Sequence, residues 1–94
     1  MQLARIDLTE RFKKDFKKLP PEVARRVQDI IRDDLMPWPT KKSLRHHSLS
    51  GHKPTVHSID VLPNKSYKMT FEISGDAARL LRVATHREID REPR

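Results

Sequence analysis

The chain has 94 residues, with 20 Lys and Arg against 13 Asp and Glu, and no cysteine. This length predicts one domain over residues 1–94 with a modest core, and the lack of cysteine excludes a disulfide framework and a thiolate metal site. The net charge of +7 and the pI near 10.1 predict a polyanionic partner, either nucleic acid or an acidic protein. Because no segment has the apolar length of a signal peptide or a membrane span, we expect a cytoplasmic protein without membrane contact.

The first third of the chain predicts a strand followed by a helical hairpin. Residues 3–8 alternate between apolar and charged side chains, which indicates a strand, and Thr9 is typical of a helix N-cap. Pro20-Pro21 separates this helix from a second one that runs to about Leu35, and so short a connection folds two helices back antiparallel. The apolar stripes are Phe12, Phe16 and Leu19 in the first helix and Val23, Val27, Ile30, Ile31 and Leu35 in the second.

Residues 40–55 form a polar, basic segment that contains three histidines, and two interpretations compete for it. A metal site is disfavoured, because His46 and His47 are adjacent and no cysteine or spaced carboxylate completes a ligand shell. A basic loop beside a binding groove fits the composition better. We therefore predict a loop here, and neither a metal site nor another cofactor.

Three further strands are predicted over residues 56–62, 67–73 and 80–86. In the last one, alternation places Leu81, Val83 and Thr85 toward the core. Its other face then carries Leu80, Arg82, Ala84 and His86. The predicted fold class is α+β with the order β-α-α-β-β-β, in which the helical hairpin packs on one face of a small, mostly antiparallel sheet.

The opposite, open face of this sheet is predicted to collect seven polar side chains: Ser58, Asp60, Lys68, Thr70, Glu72, Arg82 and His86. An arginine and a histidine on a sheet face are, on their own, more often solvated surface. Their convergence with other ionisable groups favours a site for anions and proton transfer, because imidazole titrates near neutral pH.

Three stretches resemble the RelE/ParE superfamily of bacterial toxins from toxin–antitoxin pairs: residues 12–20 (FKKDFKKLP), 47–51 (HSLSG) and 82–86 (RVATH). Their order and spacing match over nearly the whole chain. The resemblance implies a small α/β toxin that cleaves mRNA, usually on the ribosome, without a metal ion. It also implies silencing by a cognate acidic antitoxin, with a toxin–antitoxin heterotetramer as one expected assembly.

Within the superfamily, the chain is most similar to the branch resembling YafQ, which implies a set of site residues. His47 and His86 fall on histidines of that branch, Asp60 falls where it has another histidine, and Lys68 where RelE has an arginine. With Arg82, these residues form the expected catalytic set. The expected RNA-binding residues are Lys41, Lys42, Arg45, Asn64 (where that branch has an aspartate) and Arg87.

RNA cleavage of this kind needs one group to accept the 2′-OH proton and another to protonate the departing 5′-oxygen. The division of these roles among His47, Asp60 and His86 stays open, whereas Lys68 and Arg82 are suited to binding phosphate. Two alternatives from the same superfamily also stay open. One is a ParE-like toxin that binds DNA gyrase without catalysis, and the other is a RelE homologue whose activity has decayed.

Overall fold

A five-stranded mixed sheet, with helices on both faces, forms the centre of the protein. The computed structural model describes residues 3–35, 46–49, 51, 55–62, 64 and 66–94. The strands are β1 (Arg5–Leu8), β2 (His47–Leu49), β3 (Val56–Asp60), β4 (Tyr67–Ser74) and β5 (Ala77–Thr85), in the spatial order β1-β5-β4-β3-β2. The β1–β5 pair is parallel and the other pairs are antiparallel, which confirms the predicted mostly antiparallel sheet.

Two helices form the predicted hairpin, and a third one was not predicted. The hairpin consists of α1 (Glu10–Lys17) and α2 (Pro21–Asp29), and α2 continues as a π-helical segment over Ile30–Leu35. Thr9 caps α1, because its hydroxyl oxygen accepts the backbone N–H of Phe12 at 3.1 Å. The additional elements are α3 (His86–Arg91) and β2, which lie where the sequence predicted a strand end and a loop. None of the helices in the described part of the chain is long and apolar enough to span a membrane.

The hydrophobic core lies between the hairpin and one face of the sheet. Phe12, Val27 and Phe71 are almost completely buried there, and Phe16 and Ile31 pack against the same cluster. The remaining members of the cluster are Leu3, Val23, Ile30, Ile59, Val61, Met69, Ala78, Leu80 and Val83. The predicted core is confirmed for the helical stripes as far as Ile31, while the Leu35 side chain lies outside the described part of the structure. In β5, Leu80 takes the place expected for Leu81, and Thr85 caps a helix and is not part of the cluster.

A β-bulge in β5 explains the position of Leu80. Phe71 of β4 pairs with Leu80, but Thr70, one residue earlier, pairs with Arg82, so that Leu81 is an extra residue in β5. An extra residue resets the alternation of side chains along a strand. Leu80 and Val83 consequently both reach the hairpin side, and the predicted alternation through residues 80–86 is wrong at its first two residues.

The face of the sheet opposite the hairpin is not open, as the sequence had suggested, but partly covered by α3 and the residues after it. Ile89 of α3 is 2% exposed. Thr70 Oγ1 donates to the Pro93 carbonyl at 2.7 Å, and Arg94 Nη1 lies 2.6 Å from a carboxylate oxygen of Glu72. The polar face predicted from alternation therefore becomes an internal layer, and only the part that the C-terminal segment leaves uncovered can receive a ligand.

Candidate active site

A cleft of about 420 Å³ remains on this face, between β2 and the C-terminal segment. Strand residues form its floor, and α3 and the residues after α3 form one wall. The lining residues are Leu49, Ser58, Lys68, Ile89, Asp90, Arg91 and Pro93. The Ser58 hydroxyl is buried and has no hydrogen-bond partner among the described residues, so it offers an unused polar group at the floor of the cleft.

Lys68 and Asp60 form an ion pair across neighbouring strands at the cleft. They are direct cross-strand partners in the β3–β4 ladder, and Lys68 Nζ lies 3.8 Å from Asp60 Oδ1. The side chain of Lys68 is 15% exposed and that of Asp60 only 6%. The structure thus brings these two predicted residues together, with the ammonium lining the cleft and the carboxylate largely below it.

His86 does not end a strand, as predicted, but begins α3. Thr85 caps this helix, since its hydroxyl oxygen accepts the Glu88 backbone N–H at 3.3 Å. The His86 backbone N–H donates to the Ser66 carbonyl at 3.0 Å, which fixes the helix start beside the beginning of β4. The imidazole is exposed, and its Nδ1 lies 2.8 Å from Asp90 Oδ2, one helical turn further on.

Arg82 was predicted to lie on an open face and hold phosphate, and this placement is wrong. Its guanidinium donates to both carboxylate oxygens of Asp15 in α1, at 2.9 and 3.0 Å, and to the Glu92 carbonyl at 3.1 Å. Arg82 is 5% exposed. The hydrogen bond to Asp15 raises the pKa of Arg82 while its burial acts in the opposite direction. The bidentate pair leaves little of this guanidinium for a substrate.

The remaining predicted site residues are spread over the rim. His47 is exposed on β2 as the cross-strand partner of Ser58, so it flanks the floor of the cleft. Asn64 is exposed in a turn, where its Oδ1 accepts the Ser66 backbone N–H at 3.0 Å. Arg87 is exposed on α3. Lys41, Lys42 and Arg45 lie outside the described residues.

Arg91 and Asp90 are site residues that the sequence did not reveal. Both line the cleft, because α3 turns the end of the chain back over the sheet. An arginine and an aspartate close to a chain end carry no periodic signal that would mark them. A helical reading of residues 86–91, with Thr85 and Glu88 as a capping box, would have placed His86 beside Asp90.

A pair of histidines on the hairpin side was also missed. His46 Nε2 and His57 Nδ1 lie 2.8 Å apart, at hydrogen-bond distance, with ring centroids 5.0 Å apart and ring planes 23° from parallel. The His57 ring stacks on Phe71 at 5.4 Å. Burial lowers the pKa of both groups, and the second cause is His47 for His46 and His46 for His57. No group of three or more His, Cys, Asp or Glu side chains in the described ranges could hold a metal ion.

Comparison with solved structures establishes the fold, whereas comparison of sequences finds no match. No family model matches the chain, and no curated protein matches it either. Among solved structures, the chain resembles small toxins of toxin–antitoxin systems over nearly its full length. The arrangement of hairpin, sheet and C-terminal segment is therefore the RelE-type toxin fold.

Three solved structures illustrate this likeness. A chain of the RelB–RelE antitoxin–toxin complex from Methanococcus jannaschii has a TM-score of 0.73 and 22% identity, with 90% of this chain and 95% of that chain covered. The isolated RelE toxin of E. coli has a TM-score of 0.66 and 17% identity, with 90% and 84% covered. YafQ from E. coli strain BL21(DE3) has a TM-score of 0.67 and 15% identity, with 89% and 94% covered.

Proposed function

We propose that the protein is the toxin of a toxin–antitoxin pair and an endoribonuclease that cleaves mRNA at the ribosome and so inhibits translation. The observation that carries this proposal is the cleft itself. In a RelE-type fold, it is lined by Lys68 and Arg91, while His47 on β2 pairs with the floor residue Ser58 and His86 is bonded to the lining residue Asp90. These are the acid, base and phosphate-binding groups that cleavage of RNA requires.

In the proposed reaction, the ribose 2′-oxygen attacks the adjacent phosphorus while the bond from phosphorus to the 5′-oxygen breaks. The proton of the 2′-OH goes to His47, and His86 gives a proton to the departing 5′-oxygen. The products are a 2′,3′-cyclic phosphate and a free 5′-OH. Because side chains supply both proton transfers, the reaction is independent of a metal ion. His47 and His86 lie on different elements, β2 and α3, and each element contributes lining residues to the cleft.

Lys68 and Arg91 are the proposed phosphate-binding groups. Lys68 is paired with Asp60, but at 3.8 Å this contact is longer than a hydrogen bond and leaves the ammonium donors for a phosphate. Arg91 is exposed and has no ion pair with any described residue. It therefore takes the role that the sequence suggested for Arg82.

The proposed partner is an acidic antitoxin, and the proposed place of action is the cytoplasm, where mRNA and ribosomes meet. The net charge of +7 supports an acidic partner, and solved toxin–antitoxin complexes share the fold. A toxin–antitoxin heterotetramer remains the proposed assembly. Residues Lys41, Lys42, Arg45, Asn64 and Arg87 remain proposed RNA contacts.

The direct test is cleavage of a ribosome-bound mRNA by the purified protein, mapped by primer extension. We expect the parent protein to cut, and His86→Gln to cut about 10²–10⁴-fold more slowly, because Gln keeps a hydrogen-bonding group but cannot transfer a proton. An equally fast His86→Gln protein would refute the assignment. A parent protein that leaves mRNA intact but inhibits purified gyrase would instead place it with the ParE-like toxins.

A matched pair of arginine variants tests the phosphate-binding role. Arg91→Gln should weaken binding to single-stranded RNA and reduce the dependence of log K on log salt by about 0.7, the value for one phosphate contact. Arg25→Gln removes the same charge from an exposed position on α2, on the other side of the sheet, and should leave this dependence unchanged. Equal effects of the two changes would show that Arg91 acts only through net charge.

A further inference from the structure

We infer that Asp90 is a positioning residue for His86, an inference that rests on the proposed function. Asp90 lies one helical turn after His86, its Oδ2 is 2.8 Å from His86 Nδ1, and its side chain lines the cleft. His86 itself is not among the lining residues. The contact with Asp90 therefore links the imidazole to the cleft, and the carboxylate holds the ring in one orientation.

The position of this pair is set by the fold rather than by the two side chains alone. The Thr85 hydroxyl donates to the Glu88 carboxylate at 2.9 Å, and its oxygen also accepts the Glu88 backbone N–H. These two hydrogen bonds hold the first turn of α3 in place. The His86 backbone is bonded to Ser66, two residues before Lys68. Buried Ile89 holds the middle of α3 on the sheet.

Bonding at Nδ1 determines what the other ring nitrogen can do. When Nδ1–H donates to Asp90, Nε2 is left for the substrate, and the carboxylate stabilises the imidazolium form. That form is the one that can protonate the departing 5′-oxygen through Nε2–H. Other charged groups of the packed elements have their own partners: Lys68 pairs with Asp60, and Arg82 with Asp15. Glu88 is bonded to Thr85.

The two functions of the carboxylate, orientation and charge, can be separated with three variants. Asp90→Asn keeps an oxygen that accepts Nδ1–H but removes the charge, Asp90→Ala removes both, and Asp90→Glu restores the charge on a longer side chain. A carboxylate that orients a metal-bound imidazole is worth about 10–100-fold in activity, and we expect a loss of that order in the Ala variant. The Asn variant should lose less, and the Glu variant least.

A split between rate and affinity distinguishes this role from helix stabilisation. Under single-turnover conditions, the ratio of the Asp90→Asn rate to the parent rate should be below one. RNA affinity should not change. Asp76→Asn, which removes the same charge in the exposed turn before β5, is the matched control and should leave the ratio at one.

A second measurement does not depend on cleavage. In ¹⁵N NMR spectra of the parent protein above neutral pH, the His86 ring should be in the Nδ1–H form, and Asp90→Ala should lose this preference. If the tautomer is as expected but neither the parent nor any variant cleaves RNA, the proposed function is wrong. The orientation of His86 by Asp90 is then still supported. If the parent cleaves RNA and the Asp90→Ala protein matches it in rate and tautomer, the positioning role is refuted.

Discussion

Whether a charged residue of this protein is available to bind a ligand depends on the groups that already pair with it. Arg82 is engaged by Asp15 and buried, whereas Arg91 is exposed at the cleft. Lys68 lies between these cases, since its pairing with Asp60 leaves part of the ammonium accessible. The residue type alone would rank Arg82 first, because a guanidinium binds phosphate in a bidentate manner. Its bidentate partner here is a carboxylate of the protein itself.

The His46–His57 pair predicts a loss of stability at mildly acidic pH. Because burial lowers the pKa of both imidazoles below the value in the unfolded chain, the unfolded state binds more protons as the pH falls below about 6.5. The stabilisation is complete above that pH and is lost as the pH falls through the lowered pKa values.

Melting temperatures measured between pH 7.5 and pH 5 test this prediction. The parent protein should lose stability toward pH 5, while the double variant His46→Gln/His57→Gln should have a flatter profile over the same range. His47→Gln removes one of the two causes of the lowered His46 pKa, so it should flatten the profile less than the double variant does. Parallel profiles for the parent and the double variant would contradict the role of the pair.

At the scale of secondary-structure elements, α1 closes an edge that β1 leaves open. β1 pairs with β5 only from Ala77 to Leu80, so no strand among the described residues adjoins the outer edge of β5 beyond Leu80. Thr9 donates to the Leu80 carbonyl, and Asp15 accepts the Val83 backbone N–H at 3.3 Å. Backbone groups that could pair with another chain are thus bonded within the domain.

Removal of the Asp15 carboxylate should therefore be costly. Asp15→Ala leaves the buried Arg82 guanidinium and the Val83 N–H without their acceptor, and loss of one partner of a buried ion pair costs about 3–5 kcal/mol in free energy of unfolding. The double change Asp15→Leu/Arg82→Met should restore much of this loss, because no buried charge remains. Urea denaturation of the three proteins measures both values, and a single variant as stable as the parent would contradict the prediction.

At the scale of the whole molecule, the dominant property is the excess of positive charge. Lys and Arg outnumber Asp and Glu by seven, and several lysines, including Lys14 and Lys17, lie exposed on α1. A field of this sign accelerates the approach of any polyanion, whether RNA or an acidic protein segment. It cannot by itself select between them, so selection falls to the cleft and to shape.

Association with the proposed acidic antitoxin should therefore slow as salt rises. Stopped-flow rates should fall by about tenfold or more between 0.05 and 0.5 M salt, because the Debye length shrinks severalfold over that range. A variant with Lys14→Gln and Lys17→Gln should bind more slowly than the parent at low salt and equally fast at high salt. An association rate that does not respond to ionic strength would exclude electrostatic steering.

The sequence by itself determined the elements whose burial follows a regular period. The stripes through Phe12 and Val27, the Thr9 cap and the alternation in β4 predicted the hairpin, most of the sheet and nearly all of the core correctly, because burial on one face leaves a period of 3.6 or 2 residues. The candidate site could be predicted only in part. Lys68, Asp60 and the two rim histidines were found because their residue types and their resemblance to a toxin family mark them.

Only the tertiary structure decided which of these groups lie at the cleft and which are bonded within the protein. Arg82 and Asp15 are 67 residues apart in sequence, and no local pattern reports their pairing. The bulge at Leu81 breaks the period on which the prediction of the last strand depended. The C-terminal segment covers the sheet through Ile89, and it thereby brings Asp90 and Arg91 to the cleft. Periodicity reports that a side chain is buried, but the identity of its partner is fixed by contacts between distant elements.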